Sequence, residues 1–178
     1  MKKHKNIIIF LIKFFVTYFL LVAIYNGYLQ KSQKKQGVYN TSSITSLVAN
    51  QTVTVLSIFN YNVEAIQHDK ELSVKLIIEG KYTARVIEGC NSISLIILFI
   101  AFIVAFAGSL KVTFLYSIFG SIVIYVINVL RIAFLTVMIY KYPAKVEILH
   151  GVVFPAIIYG TVFLLWVIWV NKFSNYKK

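Results

Sequence analysis

Three residues in this chain could run thiol chemistry together. They are the lone cysteine Cys90, Arg131 inside an apolar run, and His150 at the start of another. The thiolate is the reactive form of cysteine, and helix N-termini and nearby cations favour it. A histidine titrating near neutrality can take up and return the proton. An arginine can hold the oxyanion that forms when a carbonyl is attacked. Together these groups describe acyl transfer through a thioester. Each also has a plainer reading. A free cysteine packs as a minor hydrophobe, an arginine near an interface snorkels to phosphates, and a lone histidine at a helix start often has no task. Asn128 precedes Arg131 at helical spacing on the same face. Such a polar pair in an apolar helix is costly unless it has partners. Glu88 and Glu147 read as solvated surface charges.

The elements that must position these residues are set by composition. The 178 residues are 59% hydrophobic and 13% charged, about half the charge of an ordinary soluble domain. This is the composition of an integral membrane protein, where bilayer packing replaces a large aqueous core. The net charge of +12 does not indicate nucleic acid, because the basic residues flank apolar runs and form no dense face. A single cysteine excludes an intrachain disulfide. No Cys or His pair has metal-ligand spacing, and no cofactor is signalled.

In chain order, Lys2, Lys3 and Lys5 precede an apolar run from Ile7 to Tyr28, interrupted by Lys13, Thr17 and Asn26. Its length suits a spanning helix. Its end, Val22-Ala23-Ile24-Tyr25-Asn26, offers no small-residue cleavage site, so residues 1–28 read as an uncleaved anchor with Lys13 snorkelling. Residues 29–90 form an extracytoplasmic region. Lys31 to Asn40 reads as a polar linker. Thr41 to Asn60 suggests a helix on the membrane surface, with Ile44, Leu47, Val48, Val55 and Ile58 as its apolar stripe, although its Thr and Val content leaves strand open. Residues 72–87 read as a hairpin. Leu72, Val74, Leu76 and Ile78 alternate on one strand, Tyr82, Ala84 and Val86 on the next, and Gly80-Lys81 forms the turn. Asn40-Thr41-Ser42 and Asn50-Gln51-Thr52 match the glycosylation triplet and carry little weight.

Residues 91–170 form a three-helix membrane core. Its spans are Asn91–Gly108, Val112–Tyr140 and a last one opened by His150 and ending near Val170, with a loop from Lys141 to Leu149. The middle span is too long. It would reach about 43 Å against a hydrocarbon layer of about 30 Å, so the excess must tilt, bend or project. Arg131 lies roughly 28 Å along it, near the far interface. Residues 171–178 are a basic tail. The expected fold is thus an all-α polytopic membrane protein with about four transmembrane helices. A small hairpin-and-amphipathic-helix insertion lies between the first two. With both termini cytoplasmic, the inner segments 1–6, 109–111 and 171–178 carry lysines and no acid, and all 6 acidic residues fall outside. Cys90, Arg131 and His150 then share the extracytoplasmic face of the cell's inner membrane.

With these motifs in place, Glu88-Gly89-Cys90-Asn91-Ser92, then Asn128-Val129-Leu130-Arg131-Ile132, then a histidine opening the last helix, the chain resembles the exosortase/archaeosortase family. The resemblance covers about residues 85–170, more loosely the whole chain, and looks closest to the short, single-core forms found in flavobacteria and their relatives. It implies Cys90 as nucleophile, with Arg131 and His150 completing a triad and Asn128 and Asn91 as supporting residues. It also implies substrates that are secreted proteins bearing a C-terminal sorting signal, made of a short motif, a hydrophobic helix and a basic tail. Many members follow the cysteine with a small residue and then Gly. Here Asn91-Ser92 follows.

Two functions remain open on the sequence. The first is a membrane cysteine protease/transpeptidase that cleaves the sorting signal and passes the acyl group to an amine or water, with no cofactor. The second is a non-catalytic scaffold or accessory subunit of an envelope assembly, in which Arg131 and His150 bind lipid headgroups or a partner. A transporter is weaker, since no mid-membrane charge or broken helix marks an ion path.

Overall fold

The computed structural model describes residues 2–33, 40–106 and 108–174. The expected linker over 34–39 and the end of the basic tail, 175–178, lie outside the described residues. Helix α1 spans Lys2–Gln33, α2 Ser43–Ile58, α3 Ile93–Ala105 and α4 Leu110–Lys141. Strands β1 Val63–Gln67, β2 Ser73–Ile78 and β3 Lys81–Ile87 lie between α2 and α3. After α4 the helical run Pro143–Lys172 opens with a 3-10 turn, Pro143–Lys145, and a single α turn, α5, Val146–Ile148. A π turn, Leu149–Val153, then leads into α6, Phe154–Lys172.

Three of these segments are long and apolar enough to cross a membrane: Asn6–Gln33, Leu110–Lys141 and Pro143–Lys172. Outward apolar side chains on α1, among them Ile12, Val16, Phe19 and Ile24, are more than half exposed, as a lipid-facing surface requires. The protein is a membrane protein of mostly helical fold. The span expected over Asn91–Gly108 is shorter than it reads, because α3 has only 13 residues, below the roughly 20 that cross a bilayer. The segment Lys141–Leu149, expected as a loop, is largely helical, so His150 lies within a helical run that has already begun.

The helices alternate in direction, and side-chain contacts fix their register. Phe10 meets Phe106 and Tyr25 meets Asn91 between α1 and α3. Phe99 meets Tyr116 between α3 and α4. Tyr116 meets Trp169, and Phe134 meets Phe154, between α4 and α6. The end of α1, the start of α3, the end of α4 and the start of α6 therefore gather at one end of the bundle. The main core lies below, around Phe99, Ile103, Tyr116, Ile124, Ile158, Leu165 and Trp169. There the Tyr116 hydroxyl donates to the Leu165 carbonyl at 2.7 Å.

At Gly120 the Phe99 ring of α3 lies against the backbone of α4. A Cβ there would lie 2.2 Å from Cζ of Phe99, which is fully buried. Gly120→Ala should therefore lower stability by about 1–3 kcal/mol. Thermal unfolding in detergent micelles would show this, and adding Phe99→Leu should recover part of the loss.

The insertion differs from expectation in four ways. The sheet has three antiparallel strands in the order β1-β2-β3, not a lone hairpin. Val63 pairs with Ile78, and Val74 with Val86. The alternation in β2 holds for Val74, Leu76 and Ile78, which are buried, while Leu72 is exposed. The turn is Glu79-Gly80, one residue earlier than expected. Both have positive φ, 49° and 73°, as a type I′ turn demands, and Lys81 already pairs with Ile78.

Finally, α2 is a helix, but it is wedged against the sheet and α4. Its buried face is Thr45, Val48, Ala49, Thr52 and Leu56, whereas Leu47 and Ile58 of the expected stripe are exposed. Small and hydroxyl side chains allow the close approach, and the buried Thr52 hydroxyl is satisfied by the Val48 carbonyl at 2.8 Å. The surplus length of α4 is used here. Val129, Ile132 and Ala133 pack under α2 and the sheet, with Val137 and Tyr140 beside them.

Candidate functional site

The segment that carries the thiol is a 3-10 turn, Glu88–Cys90, joining β3 to α3. Ser92, at the N-cap of α3, has φ 62°. This is the left-handed conformation that glycine adopts without a steric penalty. The Ser at this position therefore takes up the same kind of backbone a Gly would, and its hydroxyl donates to the Asn91 carbonyl at 2.6 Å. Asn91 is buried. Its Oδ1 accepts the Ile93 N–H at 3.1 Å, closing the first turn of α3, and its Nδ2 donates to the Tyr25 hydroxyl at 2.8 Å.

Cys90 is a free, half-buried thiol two residues before the N-cap of α3. It packs against the cluster formed by Val48, Ala49, Val74, Leu76, Val86, Val129 and Ile132. Across from it, the fully buried Asn128 donates from Nδ2 to the Cys90 carbonyl at 2.7 Å. Asn128→Ala would leave that carbonyl without its partner inside the fold. The expected cost is about 1–3 kcal/mol, seen as earlier thermal unfolding. Asn128→Asp should be worse, since it sets a carboxylate against a carbonyl oxygen.

Arg131 follows Asn128 at a spacing that rotates the side chain by about 60° around the helix, and Phe134 follows Arg131 by the same step. Asn128 points at Cys90 and Phe134 at Phe154 of α6. Arg131 therefore faces between the thiol segment and the start of α6. It is half-buried, and its Nε is buried with no hydrogen-bond partner among the described residues. His150 is exposed in the π turn, a kind of helix irregularity frequent at functional sites. The Phe134–Phe154 contact puts His150 about 10 Å from Arg131 along the bundle axis, at the same end. Among the described residues no hydrogen bond or ion pair joins Cys90, Arg131 and His150. The structure thus bonds Asn128 to the Cys90 carbonyl, ties the neighbouring Asn91 to Tyr25 and Thr45, turns Arg131 toward the space beside them, and leaves His150 near but unattached.

Glu88 corrects the reading of a solvated charge. It is half-buried, and its carboxylate accepts from the Ser42 main-chain N–H and from the Ser42 and Thr45 hydroxyls. The sequence held one cue, an acid two residues before the only cysteine, but its partners are more than forty residues away.

These features define a polytopic helical membrane protein whose single thiol is clamped at the end of the helix bundle beside a sheltered arginine. The transmembrane exosortase family matches residues 8–170, and the chain belongs to that family. No curated protein and no solved structure matches it.

Proposed function

We propose that the chain is a membrane-embedded cysteine protease/transpeptidase. It cleaves the C-terminal sorting signal of secreted proteins through a thioester acyl-enzyme. The observation that carries this reading is the held thiol segment: Cys90 ends the turn that leads into α3, Asn128 holds its carbonyl, and Arg131 faces the space beside it. Family membership adds to it.

In the reaction, the Cys90 thiolate attacks the scissile carbonyl, and the Arg131 guanidinium stabilises the oxyanion. His150 gives a proton to the leaving amine as the C–N bond breaks. An amine or water then attacks the thioester, losing its proton to His150 and releasing the Cys90 thiolate. His150 would swing in from its exposed position to do this. An apolar groove of about 470 Å³ between α2 and α4, lined by Val55, Leu56, Phe59, Leu130, Ala133 and Phe134, offers a seat for one side of the substrate's hydrophobic helix. In this reading the site is extracytoplasmic on the inner membrane, both termini are cytoplasmic, and the substrate's basic tail stays inside.

One observation favours a second reading, a non-catalytic scaffold or accessory subunit of an envelope assembly. His150 is exposed and bonded to neither Cys90 nor Arg131. Co-expression with a candidate substrate bearing a sorting signal separates the two. The wild type should cleave it and form a covalent adduct that hydroxylamine releases. A Cys90→Ala protein that processes the substrate as well as wild type would end the protease reading and leave the scaffold in its place.

A further inference from the structure

We propose that Glu88 is a positioning residue for Cys90. Its carboxylate seats the thiol segment on the first turn of α2, and Asn91 ties that seat to α1. The inference deepens the proposed function, since it takes Cys90 as the working thiol, but its geometry stands without it.

Oε1 of Glu88 accepts the Ser42 N–H at 2.5 Å, and Oε2 accepts the Ser42 hydroxyl at 2.8 Å and the Thr45 hydroxyl at 2.7 Å. Asn91 Nδ2 lies 3.5 Å from Oε2, 3.1 Å from the Thr45 hydroxyl and 2.8 Å from the Tyr25 hydroxyl. Every group meeting the carboxylate donates to it, so both its oxygens are used as acceptors. Among the described residues no cation pairs with it; the ion pairs there are Lys75–Asp69 and Arg85–Glu71. The N-terminus of α2 supplies the compensating partial charge instead.

Capping alone does not account for this arrangement, because the Ser42 hydroxyl already accepts the Thr45 N–H at 3.3 Å and caps the helix itself. What Glu88 adds is a tie between distant parts of the chain. It stands two residues before Cys90 on one tight turn. The main chain at Cys90 cannot shift without parting the carboxylate from α2 or pulling Asn91 from α1. With Asn128 holding the Cys90 carbonyl from α4, three helices hold the stretch of main chain that carries the thiol.

Because the chain has 1 cysteine, alkylation by a maleimide in the folded protein reads this site alone. Glu88→Ala should raise the alkylation rate about tenfold or more by letting the segment open locally. Glu88→Asp keeps the charge, one methylene shorter, and should return the rate to within about threefold of wild type. Ile78→Ala controls for general loss of stability. Ile78 is fully buried under the sheet in a cluster that does not contain Cys90, and this change should leave alkylation within about twofold.

The proposal is overturned if Glu88→Ala alkylates at the wild-type rate. It is equally overturned if Ile78→Ala accelerates alkylation as much as Glu88→Ala. With a cleavable substrate in hand, Glu88→Ala should lower kcat and leave KM in place. If Cys90→Ala still processes that substrate, the protease reading falls, and the alkylation result still decides whether Glu88 positions the thiol.

Discussion

Replacing Cys90 by serine should abolish processing of a sorting-signal substrate while leaving the protein folded, with a rate loss of about 10⁴-fold or more. The size follows from the nucleophile's role. A serine hydroxyl has no base bonded to it here, and without one it is a far weaker nucleophile than a thiolate at neutral pH. Stability should hardly change. The thiol is half-buried, and Asn128 bonds to the main-chain carbonyl, which the substitution keeps. Cys90→Ala should lose activity equally and form no hydroxylamine-sensitive adduct. The measurement pairs substrate turnover with thermal unfolding. Activity lost together with the fold would say nothing about chemistry, whereas activity kept in the alanine variant would end the acyl-enzyme mechanism.

Arg131→Met should separate stability from activity in the other direction. The Nε of Arg131 is buried without a partner among the described residues, so the side chain is held at a cost. An apolar replacement of similar length removes that cost, and the variant should unfold at the same temperature as wild type or a higher one. Turnover should fall by about 10²–10³-fold, the usual consequence of losing one oxyanion donor. Arg131→Lys should recover little, because a point charge does not reproduce a planar fork of N–H donors. A group kept at a stability cost and needed for turnover is the pattern expected of a functional site. Turnover within threefold of wild type in Arg131→Met would remove Arg131 from the mechanism.

The parts legible in the sequence were those written in local periodicity. The spacing from Asn128 to Arg131, the alternation through Val74, Leu76 and Ile78, and the long apolar runs all follow from where neighbouring side chains point. What stayed hidden depends on partners far along the chain. Apolarity alone points to the stripe of Ile44, Leu47, Val48, Val55 and Ile58 on α2, but contact with the sheet and α4 selects the face with Thr45, Ala49 and Thr52. Strand β1 buries only Val63, too little for alternation to announce it. Glu88 looked like any exposed acid until Ser42 and Thr45 folded onto it. The excess length of α4 was visible, but not the layer of α2 and strands that covers it.

The short third helix has a further consequence. At 13 residues, α3 extends about 20 Å, whereas the hydrocarbon layer is about 30 Å thick. It is fastened on both sides, to α1 through Phe10 and Tyr25 and to α4 through Phe99 and Asn128. Fastened in this way, a helix this short meets such a layer only through its flanking segments or through local thinning of the lipid. The thiol turn, Glu88–Cys90, is one of those flanking segments.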